Sequence, residues 1–553
     1  MSNCRGGQFR RACAVALTVL TYCSSIGSAQ AAETTLELVN SNSAVQSGIQ
    51  LELGREWVSA IEHYEAALDQ WPDSEPLKIG LRRARFQFAI QRRYHDRSFA
   101  SNLLTLSKSE ALALWNDIYG MVSRQYVERI RPTSFVAHGT ESLYLALSNQ
   151  DFLDHHRLKQ DNPSLRQLRS ELRDKYWNRP VADTRQALGV IEEIAALCRR
   201  QVGLNETVVV LEYVFGGPNV LDDYSMVLSP DKLEDLYSNI DGEFVGIGIE
   251  MKAVEGKGML LVNVLPDSPA EKGGAKGGDY IVSINGQDCR NMTTEEAAGL
   301  LRGPEGSQVK LELMDQGEIV RGPYTLVRKP VHIKSIPVAK MLDSQSGVAY
   351  IKMTSFQRSS ASELDAALSK LHKQGMRSLI WDVRGNPGGL LTAAIEVLDR
   401  FLDGGVIVST KGRDRDQDWS YSAHRSNTWK MPLVLLVDGD SASASEIAAG
   451  ALKDHKRGVL VGRHSYGKWS VQTILNGTHK TGLRLTTARF YSPSGRTYSD
   501  IGIEPNVVVD IPEEQQTFYR GNSSLNEQDD VDIAKAVEIL KSGELNALLT
   551  QGN

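Results

Sequence analysis

Cysteine is scarce in this chain. Of five in 553 residues, Cys4, Cys13 and Cys23 crowd at the amino terminus, leaving only Cys198 and Cys289 beyond it. Two thiols in segments that read as different domains make no disulfide framework, and no spacing reads as a metal site. Neither sits in a glycine-rich turn beside a base, which removes a thiol nucleophile. Basic blocks are missing too. The formal charge is -6, and no lysine or arginine run is long enough to follow a phosphate backbone, so nucleic acid is excluded as a partner. The apolar run Ala12 to Leu20 is too short for a stable membrane span. Arg5, Arg10 and Arg11 precede it and Ala29-Gln30-Ala31 follows, the three-part pattern of a secretory signal peptide cleaved after Ala31. The expected address is periplasmic or secreted, with no membrane span left after cleavage.

What remains is ordinary soluble composition in a chain long enough for three to four domains. After the leader (residues 1–31), residues 32–105 have helical periodicity, with Trp57, Ile61, Tyr64 and Leu68 on one stripe and a break at Pro72. Trp57, Tyr64, Ala67 and Pro72 resemble one tetratricopeptide-type helix pair. One such pair cannot bury its own face, so it either docks on its neighbours or holds a protein partner. Residues 106–204 continue helical. From about residue 205, glycine and β-branched residues rise, and strand-length runs alternate with turns to about 512. The tail, 513–553, is polar and closes as a short helix from about Asp530.

Residues 240–330 make a compact unit inside this β-rich part. A glycine-punctuated strand entry, "EFVGIGIEM", leads to "SPAEKGGAKGGDYIVSINGQ"; a helix beginning at Thr293 or Thr294, with Glu296 completing its cap signal, and the strand "SQVKLELMD" follow. The proline-alanine helix start, Gly-Asp turn and Ile-Asn-Gly hairpin resemble a PDZ domain. The resemblance implies that Val245, Gly246, Ile247, Gly248 and Ile249 form the loop whose backbone N–H groups hold a peptide's terminal carboxylate.

The chemistry concentrates in "DSASASEIAAGALKDHKRGVLVGRHSYGKWSVQ". A buried strand, "PLVLLV", ends in a turn, and Ser441, Ser443 and Ser445 open an alanine-rich helix with Glu446 in its early turns. Capping needs one serine, and strand-to-helix turns expose nucleophiles. His455 lies twelve residues beyond Ser443, about 18 Å along an unbroken helix at ~1.5 Å per residue, too far to take its proton. Asp454 fails the same test. Lys468 follows another strand and a glycine turn, so the chain can return to the serine. Period two would put Lys468 and Gln472 on one face. A Ser/Lys dyad results, with Gln472 holding the amine. The lysine must be neutral near pH 7, which burial can achieve. The turn Gly385-Asn386-Pro387-Gly388-Gly389 is suited to an oxyanion hole. It could equally cradle phosphate, but no Walker-type lysine follows.

"DVRGNPGGLL", "SASASEIAAGAL", "YGKWSVQ" and "YSPSGRTYSDIGIEPNVVV", in that order after the PDZ-like unit, resemble the carboxyl-terminal processing (tail-specific) serine peptidases. So does "LDDYSMVLSPDKLEDLYSNIDGEFVGIGIE" before it. The likeness covers about residues 205–512. It implies a crotonase-like protease core (205–239 and 331–512) with the PDZ domain (240–330) inserted. It also implies Ser443 as nucleophile, Lys468 as base and Gln472 as its orienter, with the N–H groups of Ala444 and Gly388 as oxyanion hole. Asp454 takes a supporting role. Substrates would be proteins with non-polar carboxyl-terminal tails, and neither metal nor cofactor is implied. Three positions depart from the family: Trp469 replaces the usual glycine after the lysine, Asp440 replaces another glycine, and residues 154–216 carry a helical insertion. The competing reading is a catalytically silent adaptor, which Trp469 favours and the intact Ser443, Lys468 and Gln472 oppose. An acyl-CoA enzyme fits poorly with a signal peptide, and a trypsin-like protease with the absence of a "GDSGG"-like turn.

Overall fold

The structure, a computed structural model, describes residues 41–424, 427–511 and 530–550. The leader, with its proposed cleavage site, lies outside them. The chain divides into two compact units, residues 235–333 and the segments on either side.

The larger unit is organised by strands that are apolar on both faces. Leu433–Val437 is buried throughout, and such a strand needs cover on both sides. It lies in a six-stranded sheet. Val348–Lys352, Ser378–Asp382, Leu433–Val437, Val459–Gly462 and Val507–Val508 run parallel in that order, and Val338–Asp343 is the antiparallel edge. Because side chains alternate across a strand, Leu379, Trp381, Leu433, Leu435 and Leu460 share a core with the helices Ser360–Lys373, Leu391–Leu398 and Ala444–Asp454. The intervening Tyr350, Ile380, Val434, Leu436 and Val461 meet Ile533, Ala536 and Ile539 of the helix Val531–Ser542. The carboxyl-terminal segment is therefore more than a polar tail. With Leu545–Thr550 it forms a layer of the fold, and each buried isoleucine contributes about 1.5–3 kcal/mol.

A second, antiparallel sheet pairs Gly482–Tyr491 with Met226–Leu228, with Val406–Gly412 and with Ser470–Asn476. The last pairing slips register between Val471 and Gln472. Ahead of it, the helices Trp57–Gln70 and Glu75–Tyr94 form a hairpin, and Lys108–Gln125, Pro132–Ala146, Thr184–Val202 and Glu206–Gly216 share a large apolar core. The β-branched run Val208–Val210 raised an expectation of strands from 205. It is helical instead. Nearly every residue of Glu206–Gly216 is buried, and packing on all sides outweighs the few tenths of a kcal/mol that each valine loses in a helix. Its Glu212 is also buried and pairs with Arg93. Among the described residues no helix is long and apolar enough to cross a membrane.

In the smaller unit the strands lie in the order Ile249–Val254, Gly258–Val264, Tyr280–Ile284, Gln308–Met314, Val320–Val327. Asn285 and Gly286 both have positive φ, 52° and 82°, as a tight hairpin requires. Thr293 and Glu296 close a capping box on the helix Thr294–Leu301.

Candidate active site

The three serines divide their work. Ser441 Oγ donates to the carbonyl of Val383 at 2.8 Å and Ser445 Oγ to that of Asn386 at 2.9 Å, tying the start of the helix Ala444–Asp454 to the glycine turn. Ala442 N–H donates to the same Asn386 carbonyl. Between them, Ser443 is forced to φ 54° and ψ -111°, a conformation that costs a non-glycine residue and persists only where its surroundings over-determine it. Asn386 anchors the arrangement: it is fully buried, and its Nδ2 donates to the Met353 carbonyl at 2.9 Å.

Glu446 was legible in the sequence only as a dipole-favoured acid. In the structure its buried carboxylate accepts four hydrogen bonds. Oε2 takes the N–H groups of Ser443 at 2.9 Å and Lys468 at 2.8 Å; Oε1 takes the Gly467 N–H and the Ser465 hydroxyl, both at 2.7 Å. One carboxylate thus holds the backbone of the candidate nucleophile and of the candidate base together. The Ser-x-x-Glu spacing of a capping box was the signal that could have found it. Burial is the largest influence on this carboxyl and raises it from its ordinary value against those bonds.

Lys468 is partly buried, with Nζ 4.6 Å from the centre of the Tyr224 ring. Burial lowers its amine to about 8, helped by the neighbouring Arg484 cation and opposed by Asp222 and Glu446. His455 lies just past the far end of the same helix, its Nε2 2.7 Å from the Val406 carbonyl. Asp454 accepts the Ser494 N–H at 2.9 Å, a structural contact.

Two expectations need correction. Gln472 does not hold the Lys468 amine here. Lys468 precedes the strand Ser470–Asn476, and the slip at Val471/Gln472 breaks the period-two argument. Gln472 donates instead to Thr486 Oγ1 at 2.6 Å and Ser470 Oγ at 3.2 Å, while its buried Oε1 has no hydrogen-bond partner among the described residues. Gly388 N–H is already committed to Asn386 Oδ1 at 2.8 Å, whereas the N–H of Ala444, the first residue of its helix, donates to nothing among the described residues. Trp469, at the family's glycine position, is buried in the core against Tyr498, with ring centres 4.9 Å apart, so the departure from glycine is absorbed by packing. Asp440 is exposed to solvent.

In the smaller unit, among the described residues, the strand Ile249–Val254 pairs on one side only, with Gly258–Val264, leaving an open edge. Ile249, Met251, Ala253 and Leu300 are partly exposed apolar residues on this unit's core. Ala253 N–H donates to Thr294 Oγ1 at 3.0 Å, linking that strand to the helix Thr294–Leu301. Of the five expected loop residues, Val245 and Gly246 belong to a strand paired with Lys329–His332, and Ile249 starts the open-edged strand. The Ile247 side chain is core. The N–H groups of Ile247 and Gly248 donate to nothing among the described residues.

Residues 347–509 match the family model described as peptidase family S41, and residues 261–313 match that of the PDZ domain. A carboxy-terminal-processing protease of Bartonella bacilliformis is 37% identical over 297 residues, covering 53% of this chain and 67% of that one. The carboxyl-terminal-processing protease of Synechocystis sp. is 32% identical over 346 residues, 62% of this chain and 75% of that one. One from Picosynechococcus sp. is 32% identical over 386 residues, 69% and 86% of the respective chains. The chain belongs to peptidase family S41. It is a carboxyl-terminal processing serine peptidase with an internal PDZ domain.

For this S41 peptidase the glycine turn gives a direct test. Gly388 has φ 101°, and a Cβ there would lie 2.7 Å from the Ala442 carbonyl oxygen and 2.8 Å from both Ala444 N and Ser443 Cβ. Gly388→Ala is expected to lower kcat about 100-fold or more by displacing Ser443, measured as steady-state cleavage of a peptide reporter. Wild-type kcat in that variant would contradict this placement.

Proposed function

We propose that this peptidase cuts protein substrates through a Ser443/Lys468 dyad after engaging their non-polar carboxyl-terminal tails with its PDZ domain. The observation that carries the reading is the Glu446 bridge between the two backbones, with a lysine lowered to about 8 by burial. Neutral Lys468 takes the Ser443 hydroxyl proton as Oγ attacks the scissile carbonyl. The oxyanion meets the Ala444 N–H, and Gly388 supplies a second donor on exchanging its bond to Asn386. Lys468 returns the proton to the leaving amine, then activates water to release the acyl group. No step calls on a metal or nucleotide.

The open edge of Ile249–Val254 suits addition of a tail as a strand, and the Ile247 and Gly248 N–H groups suit its carboxylate. The same reading takes the core as crotonase-like and the amino-terminal hairpin as a tetratricopeptide-like element that docks a protein partner. The leader exports the chain.

Two experiments test this. Against an unstructured reporter with a non-polar tail, Ser443→Ala and Lys468→Ala are each expected to lose about 10³-fold or more in kcat, with His455→Ala active and EDTA harmless. Retained cleavage in Lys468→Ala, or its loss in His455→Ala, would overturn the dyad. For the PDZ step, a fluorescent tail peptide titrated with the full-length Ser443→Ala protein is expected to bind about tenfold or more weakly once its carboxylate is amidated. Equal binding would contradict carboxylate capture.

A further inference from the structure

Two arginines stand at the heads of the two loops that carry the candidate catalytic groups. Arg384 follows the strand Ser378–Asp382 and immediately precedes the glycine turn; Arg463 follows Val459–Gly462 and opens the segment leading to Lys468. Both reach one carboxylate of the carboxyl-terminal helix. Asp532 Oδ2 accepts from Arg384 Nη1 and Oδ1 from Arg463 Nη1, each at 2.7 Å. Asp530 takes Arg384 Nη1 and Nη2 at 3.0 and 2.9 Å while capping its own helix through the N–H groups of Asp532 and Ile533. Asp382 accepts from Arg384 Nε and Nη2, at 3.1 and 2.8 Å. The Asp532 and Asp382 side chains are fully buried, and Arg384 is nearly so.

We propose that Asp532 and Asp530 are positioning residues for catalysis: the carboxyl-terminal helix holds the glycine turn and the lysine loop in register through Arg384 and Arg463. The inference rests on the Ser443/Lys468 reading. Neither aspartate reaches substrate. Their effect passes from Arg384 to its chain neighbours Gly385, whose N–H is held by Asp438 Oδ1 at 3.0 Å, and Asn386, whose carbonyl holds Ala442 and Ser445. On the other side it passes from Arg463 along the loop to Gly467 and Lys468 on Glu446. A strained turn such as that at Ser443 keeps its geometry only under such external restraint.

The test uses the full chain, with active sites counted by a serine-reactive fluorophosphonate so that kcat is expressed per competent site. Asp532→Asn is expected to lower that kcat about 10–100-fold, the cost of a misplacement of about 1 Å, with KM within about threefold of wild type and partial recovery in Asp532→Glu. Ile539→Ala, which removes apolar cover from the same helix but no carboxylate, lowers Tm and leaves kcat per site unchanged. Should Asp532→Asn fail to fold, Arg463→Gln leaves the three acids around Arg384 in place and is expected to lower kcat in the same way. Wild-type kcat per site in whichever of Asp532→Asn and Arg463→Gln folds overturns the proposal. So does an equal loss in Ile539→Ala, which would mark a purely structural helix. If Ser443→Ala cleaves at the wild-type rate, the reading of the site itself fails; if Ser443→Ala is inactive while the Asp532 and Arg463 variants keep wild-type kcat, that reading stands and this inference alone falls.

Discussion

The carboxylate of Glu446 is the interaction on which the rest of the site depends. Burying a carboxylate is costly unless its oxygens are satisfied. Here four donors converge on it, three of them backbone N–H groups from Ser443, Gly467 and Lys468. Because those groups belong to two separate loops, satisfying the carboxylate and assembling the site are one event. Removing it would leave three N–H groups, one of them buried and two partly so, unmatched and untie the lysine from the serine together. The same charge raises the Lys468 amine slightly, but burial and Arg484 outweigh it and the amine settles near 8.

This arrangement stands on a sheet with both faces covered. Alternate side chains of Leu433–Val437 and its neighbours divide between the helical layer that contains Ala444–Asp454 and the carboxyl-terminal helix behind. The glycine turn and the lysine loop both leave the carboxyl ends of parallel strands, where α/β sheets place their sites. The strain at Ser443 is sustained by Ser441, Ser445 and Asn386, none of which needs to meet substrate.

The parts of the site written in contiguous residues were readable from the sequence. The strand-turn-helix around Ser443, the exclusion of His455 by helix length, and the hairpin and capping box of the PDZ unit all follow from local pattern. What was not readable depends on partners far apart in sequence or on packing. Nothing near Arg384 announces an ion pair with Asp532, 148 residues away. The slip at Val471, which moves Gln472 out of phase with Lys468, is decided by pairing across Gly482–Tyr491. The commitment of Gly388 N–H to Asn386 depends on turn conformation rather than on which residues the turn contains. Trp469 stood out as a departure from the family's glycine, and it is packing that turns its side chain into the core. Val208–Val210 misled because burial, not propensity, decided that helix.

The central claim is that Lys468 is neutral often enough near pH 7 to act as a base. Its most direct measurement is a pH titration of the lysine ε-carbon by NMR, in the Ser443→Ala chain carrying ¹³C-lysine, with the Lys468 signal assigned by its loss in Lys468→Arg. Burial and the Arg484 charge both disfavour the ammonium, so the midpoint is expected near 8. About one amine in ten would then be neutral at pH 7, and reporter cleavage would rise with pH until it levels above that midpoint. A midpoint at the ordinary lysine value of about 10.4 would mean that the pocket does not discharge the amine, and the dyad would lose its base.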